Sequence, residues 1–80
     1  MEKDKIIQEI NAIFRQVFND PAIQVNQQTT SADIDEWDSL NHTTLISAIE
    51  KHFNIKFKLS EMMQFNNVGK MCDTIFQKLN

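Results

Sequence analysis

Apolar residues in the first part of the chain fall at Ile6, Ile7, Ile10, Ile13, Phe14, Val17 and Phe18. Their spacings of three and four make one stripe of a long helix, with Glu2, Lys3, Lys5, Glu9 and Arg15 left to face water. Asp20-Pro21 is expected to end it, because the residue before proline is pushed out of helical geometry. Between Asn19 and Glu36 the pattern lapses into a long polar loop, in which Ile23, Val25 and Ile34 are the apolar residues available to pin it to a core. A loop of this length is unusual in a compact domain unless it serves a function, and it lets the next helix lie elsewhere than beside the first. Periodicity returns with Leu40, Leu45, Ile46, Ile49 and Phe53, which define a second helix starting at Asp38 or Ser39, either of which can cap it.

Ile55-Lys56-Phe57-Lys58-Leu59 alternates as a strand would, but no second strand exists to pair with it. It is expected to be an extended connector whose apolar residues plug one end of the core. Ser60-Glu61 opens a short third helix through about Phe65, anchored by Met62, Met63 and Phe65. Asn66 or Asn67 caps a last helix carrying Val68, Met71, Cys72, Ile75, Phe76 and Leu79. The pattern predicts an all-α bundle of three longer helices, one short helix and a long first loop. The chain's 80 residues make one domain, 1–80, and leave little room for an enclosed active site. An apolar fraction of 41% is enough for one small core.

Charge adds a sidedness to this picture. The net charge is −3, yet from Gln16 to Glu50 there is no lysine or arginine, while Asp20, Asp33, Asp35, Glu36, Asp38 and Glu50 all fall there. An acidic middle suits basic protein partners and disfavours nucleic acid, whose phosphates require the opposite sign. Cys72 is the lone cysteine and falls on the apolar stripe of the last helix, so no internal disulfide forms. Neither a signal peptide nor a membrane span is evident, and a cytoplasmic monomer is expected.

Ser39 stands where the acidic loop meets the second helix. A serine there is usually a cap for the free amides of the first turn. The same position suits a modification site, since a helix N-terminus favours a phosphodiester. Ser39 and His42, three apart on a helix, could suggest a nucleophile and its base. Nothing in the sequence orients the histidine or supplies an oxyanion site, so a serine hydrolase is not supported. Asp33, Asp35, Glu36 and Asp38 do not make a calcium loop, because Asp38 and Thr44 stand where glycine and glutamate are required. No metal site is expected. His52 reads as a favourable charge at a helix terminus rather than a ligand.

Asp38-Ser39-Leu40 at the head of a second helix, midway along a small acidic helical chain, resembles the modification site of an acyl carrier protein. The resemblance covers nearly the whole chain. It implies an acyl-carrier-like four-helix bundle, without catalytic residues, whose Ser39 bears a covalent 4′-phosphopantetheine from coenzyme A. It further implies that Asp38 supports the phosphopantetheinyl transferase and that Leu40 packs while offering an apolar contact. Partners would be that transferase and acyl-activating or acyl-transferring enzymes with basic patches, docking on Asp35, Glu36, Trp37, Met62 and Met63. Trp37 has two readings, as packing for the loop or as a partly exposed contact beside the arm. Met62 and Met63 are either core anchors or an adaptable surface. Ile46, Ile49, Met62 and Ile75 would line any interior pocket for the acyl chain.

The chain departs from fatty-acid-synthase carriers in having Asn41, His42, Thr43 and Thr44 where further acids are typical. Trp37 to His42 looks more like carriers of polysaccharide or secondary-metabolite pathways, leaving lipid, polyketide and polysaccharide biosynthesis open. Peptidyl carriers usually have histidine in place of Asp38. The competing class is an acidic helical interaction module, or a small acidic regulator, without a prosthetic group.

Overall fold

Ile6, Ile10, Ile13 and Phe14 form the buried face of α1 (Lys3–Val17), the central helix of a computed structural model that describes residues 1–79. α1 packs against both α2 (Ser39–Phe53) and α4 (Val68–Leu79), while the short α3 (Leu59–Met63) links the latter two. The described residues contain no strand, only an isolated antiparallel bridge between Thr30 and Asn67. Leu45, Ile46, Ile49 and Phe53 from α2 meet Val68, Met71, Cys72 and Ile75 from α4 in one core. The all-α bundle read from the hydrophobic pattern is the observed architecture.

α1 stops before Pro21, and for a different reason from the expected one. Asn19 adopts a left-handed conformation with φ 52°, and the Asp20 amide donates back to the Arg15 carbonyl at 3.0 Å. This is a Schellman-type ending, with asparagine in the place glycine usually takes. α2 ends on the same device, with Asn54 at φ 57° and the Ile55 amide donating to the Glu50 carbonyl. Asparagine tolerates this region better than other residues with a Cβ.

The long loop is held by side chains that the polar pattern did not reveal. Buried Asn11 on α1 grips the backbone of Val25 from both sides: its Oδ1 accepts from the Val25 amide at 2.7 Å, and its Nδ2 donates to the Val25 carbonyl at 3.0 Å. Arg15 Nε donates to the Ile23 carbonyl. Ile23, Val25 and Ile34 are buried as expected, and a 3-10 turn at Ser31–Asp33 lies between Val25 and Ile34. The loop then reaches the start of α4, where the amides of Val68 and Gly69 donate to the carbonyls of Thr29 and Gln27. That approach is close enough to require glycine, since a Cβ at position 69 would lie 2.8 Å from the Gln27 carbonyl oxygen.

Two expectations at the opposite end need correction. In the connector, Phe57 is buried against Phe65 and Ile55 is half-buried, but Leu59 is 71% exposed and opens α3 instead of plugging the core. α3 also ends at Met63, so Phe65 lies beyond it as a buried anchor while Met63 faces out. The reason is that the Glu61 side chain accepts from the Lys58 amide at 2.7 Å, which starts the helix one residue before Ser60. At α4, Asn67 Oδ1 accepts from the Lys70 amide, as a cap does. No helix among the described residues is long and apolar enough to cross a membrane.

Candidate functional site: the head of the second helix

Trp37 fixes where α2 begins. Its ring is 3% exposed and meets Phe14 of α1 edge-on, with centroids 5.2 Å apart. Burying an aromatic side chain removes roughly 150–250 Å² from water, enough to anchor the loop by several kcal/mol. Its backbone amide donates to the Ile34 carbonyl and its indole N–H to His42 Nδ1 at 2.9 Å. Trp37 therefore packs the loop, and its burial withdraws it from the expected set of direct partner contacts.

Asp38, not Ser39, is the cap. Its Oδ1 accepts from the Asn41 amide at 2.8 Å, and its carbonyl accepts from the His42 amide. Asn41 in turn donates through Nδ2 to the Glu36 carbonyl at 2.9 Å, tying the first turn of α2 to the loop. Ser39 becomes the first helical residue, exposed, with no partner for its hydroxyl among the described residues. The amides of Ser39 and Leu40, at the first two helical positions, have no intrahelical acceptor.

A groove of about 280 Å³ opens beside Ser39, lined by Ser31, Trp37, Asp38, Ser39, His42 and Phe65. A free hydroxyl beside an open groove and a positive helix end suits a phosphodiester-linked group. Ser39, Asp38, Asn41 and His42 would hold or frame such an arm, whose chemistry when attached is that of a thiol able to form thioesters. Asn41 and His42 are neighbours to which sequence reasoning gave no structural role. Their polarity was visible, but their partners in the loop and α3 were not.

Leu40 does not pack. It is 81% exposed beside Ser39, and Met63 on α3 is 78% exposed. Met62 is partly buried against the core, and its carbonyl lies 3.4 Å from His42 Nε2. Asp35 is exposed and Glu36 half-buried. With Asp20 and Asp33 they border a second groove, alongside Ala22, Ile23, Gln24 and Ile34. Asp33 is partly spoken for, since its carboxylate accepts from the Thr30 amide and hydroxyl. His52 pairs with Glu9 of α1 at 2.6 Å, so its setting is a cross-helix contact as well as a helix terminus.

Two groups near α3 and α4 have shifted acidity. The Lys58 amide, and then Lys78 at 3.0 Å, hold the Glu61 carboxyl below its ordinary value. Burial, with Asp73 adding to it, pushes the Cys72 thiol up.

This is the build of a small helical carrier, with a free serine at a helix head on an acidic surface. Residues 8–75 match the family model described as "Phosphopantetheine attachment site". The fold superposes with a TM-score of 0.86 on the solution structure of a holo acyl carrier protein from Geobacter metallireducens. The two share 44% identity over 91% of this chain and 84% of that one. No curated protein matches. The chain belongs to the phosphopantetheine-attachment family, as an acyl carrier protein. Its cofactor is accordingly a covalent 4′-phosphopantetheine, and the interaction module without a prosthetic group is set aside.

Proposed function

We propose that Ser39 is the residue that bears the phosphopantetheine, and that the chain is a non-catalytic, single-domain carrier presenting an acyl thioester to partner enzymes. The observation that carries this is the division of labour at the helix head: Asp38 takes the capping role and leaves the neighbouring hydroxyl exposed and unengaged. A serine consumed in capping would have to leave its amide partner before modification.

The reading assigns Asp38 a second role in supporting the transferase through its exposed carboxylate. Asp35 and Glu36 steer basic enzymes, while Leu40 and Met63 supply the apolar part of the contact. Each attached acyl group then meets its enzymes at high local concentration. A cytoplasmic setting, where coenzyme A is available to the transferase, fits this role. The replacement of further acids by Asn41, His42, Thr43 and Thr44 favours partner enzymes other than those of standard fatty-acid synthesis.

The test is intact mass after incubation with coenzyme A, magnesium and a permissive transferase. Wild type is expected to gain one phosphopantetheine, and Ser39→Ala to stay folded and gain none. An alanine variant that still gains the group would refute the assignment.

A further inference from the structure

The imidazole of His42 lines the groove beside Ser39, between Trp37 and Phe65. The indole N–H of Trp37 can only donate, so His42 Nδ1, 2.9 Å away, must accept and carries no proton. In the neutral ring the proton therefore resides on Nε2, which faces the Met62 carbonyl at 3.4 Å. His42 thus joins the loop, the first turn of α2 and the last residues of α3. Phe65, buried and edge-on to Phe57, completes the lining. Farther along α2, Ile46 and Ile49 are shut inside the core, with Ile75 of α4.

A long alkyl chain gains by leaving water, and the gain grows with each methylene. His42 bridges α2 to Met62 of α3, so a chain passing from Ser39 into the core between these helices has to turn the imidazole aside. Turning the imidazole aside takes Nδ1 away from Trp37 and strands the N–H of a buried indole. The outer groove makes no such demand, and it offers the Ser31 hydroxyl and the Asp38 carboxylate to polar substituents.

We infer that His42 is a specificity-determining latch: it holds the seam between α2 and α3 closed, and so selects short acyl groups bearing hydroxyl or amino substituents over long alkyl chains. This rests on Ser39 being the attachment residue. His42 acts on the cargo by position and takes no part in any bond making.

The experiment loads the full chain with a hydroxypropanoyl or an octanoyl phosphopantetheine, with mass confirming a single addition at Ser39. It then follows thioester cleavage by hydroxylamine and the methyl resonances of Ile46, Ile49 and Ile75. Wild type is expected to lose both acyl groups at rates within about twofold of each other, with the core methyls unmoved. In His42→Ala the octanoyl thioester is expected to be cleaved about tenfold more slowly and the core methyls to shift, while the short group is unaffected. His42→Gln, whose amide can both accept from the indole and donate to the carbonyl, should behave as wild type.

Sheltered octanoyl with shifted methyls in wild type overturns the latch, as does an alanine variant with unchanged rates. Should the alanine variant fail to fold, the wild-type arm still decides. So does the imidazole ¹⁵N spectrum of the unloaded protein, expected to show the Nε2–H tautomer, with an Nδ1–H ring contradicting the chain of bonds. A sample that takes no arm at Ser39 overturns the attachment reading and this inference with it, whereas one that loads but shelters octanoyl overturns the latch alone.

Discussion

The carboxylate of Asp38 lies 2.8 Å from the amide nitrogen of Asn41, and by accepting that bond it leaves the hydroxyl of Ser39 free at the head of α2. If Ser39 is the attachment residue proposed above, stability and modification fall to adjacent side chains, and substitutions separate them. Asparagine caps about as well as aspartate, so Asp38→Asn should keep stability within about 0.5 kcal/mol, whereas Asp38→Ala should cost about 1 kcal/mol. Urea denaturation measures both. Loading by the transferase should slow in both variants, and an asparagine variant that loads at the wild-type rate would remove the carboxylate's charge from the recognition.

Asn11 is the residue on which the loop depends most. Replacing it by alanine leaves the Val25 amide and carbonyl without their partners in a buried setting. Stranded buried polar groups cost about 1–3 kcal/mol each, so losing both partners in Asn11→Ala should lower stability by roughly 2–6 kcal/mol. Because Trp37 lies farther along the same loop, the loss should also broaden the amide resonances of residues 37–42. A wild-type denaturation midpoint would contradict this role.

Acid should loosen α3 before the rest of the bundle. The Glu61 carboxyl lies below its ordinary value of 4.5 because, first, the Lys58 amide and, next, Lys78 favour its charged form. A depressed folded value means that the contribution is present above pH 4.5 and is lost as pH falls through the lower folded value. The Lys58 amide resonance should follow that titration, and Glu61→Gln should abolish the pH dependence. A Lys58 amide that titrates in the glutamine variant as it does in wild type would show that another group is responsible.

Cys72 should not compete chemically with the arm. Burial raises its thiol above the usual range, and reactivity belongs to the thiolate. A disulfide reagent at neutral pH should therefore find no rapidly reacting thiol in the unmodified folded protein and one after modification. Cys72→Ala should leave that count unchanged. A fast thiol in the unmodified protein would show that α4 opens readily.

The three longer helices were legible because each has its own apolar stripe, and the family was legible because Asp38-Ser39-Leu40 at a helix head is a tripeptide of recognisable type. What the sequence concealed are contacts between distant segments. Asn11 looks like a surface residue of an amphipathic helix until Val25 is brought beside it. Leu40 fits the apolar periodicity of α2 yet faces outward, because the first turn projects beyond the core that Leu45 and Ile46 enter. Trp37 could be assigned to the interior or to the surface, and only the position of Phe14 decides. His42 belonged to a polar run with no evident task, since its partners lie on the loop before it and on α3 after it.

Ser39 is one of four serines, and Ser31 is exposed on the rim of the same groove. The decisive measurement is therefore fragmentation mass spectrometry of the loaded wild-type protein, which reports the modified residue itself. The whole of the added mass is expected on Ser39 and none on Ser31, Ser47, Ser60 or any threonine. Mass on any of these other residues would contradict the assignment of the free hydroxyl at the head of α2 as the point of attachment.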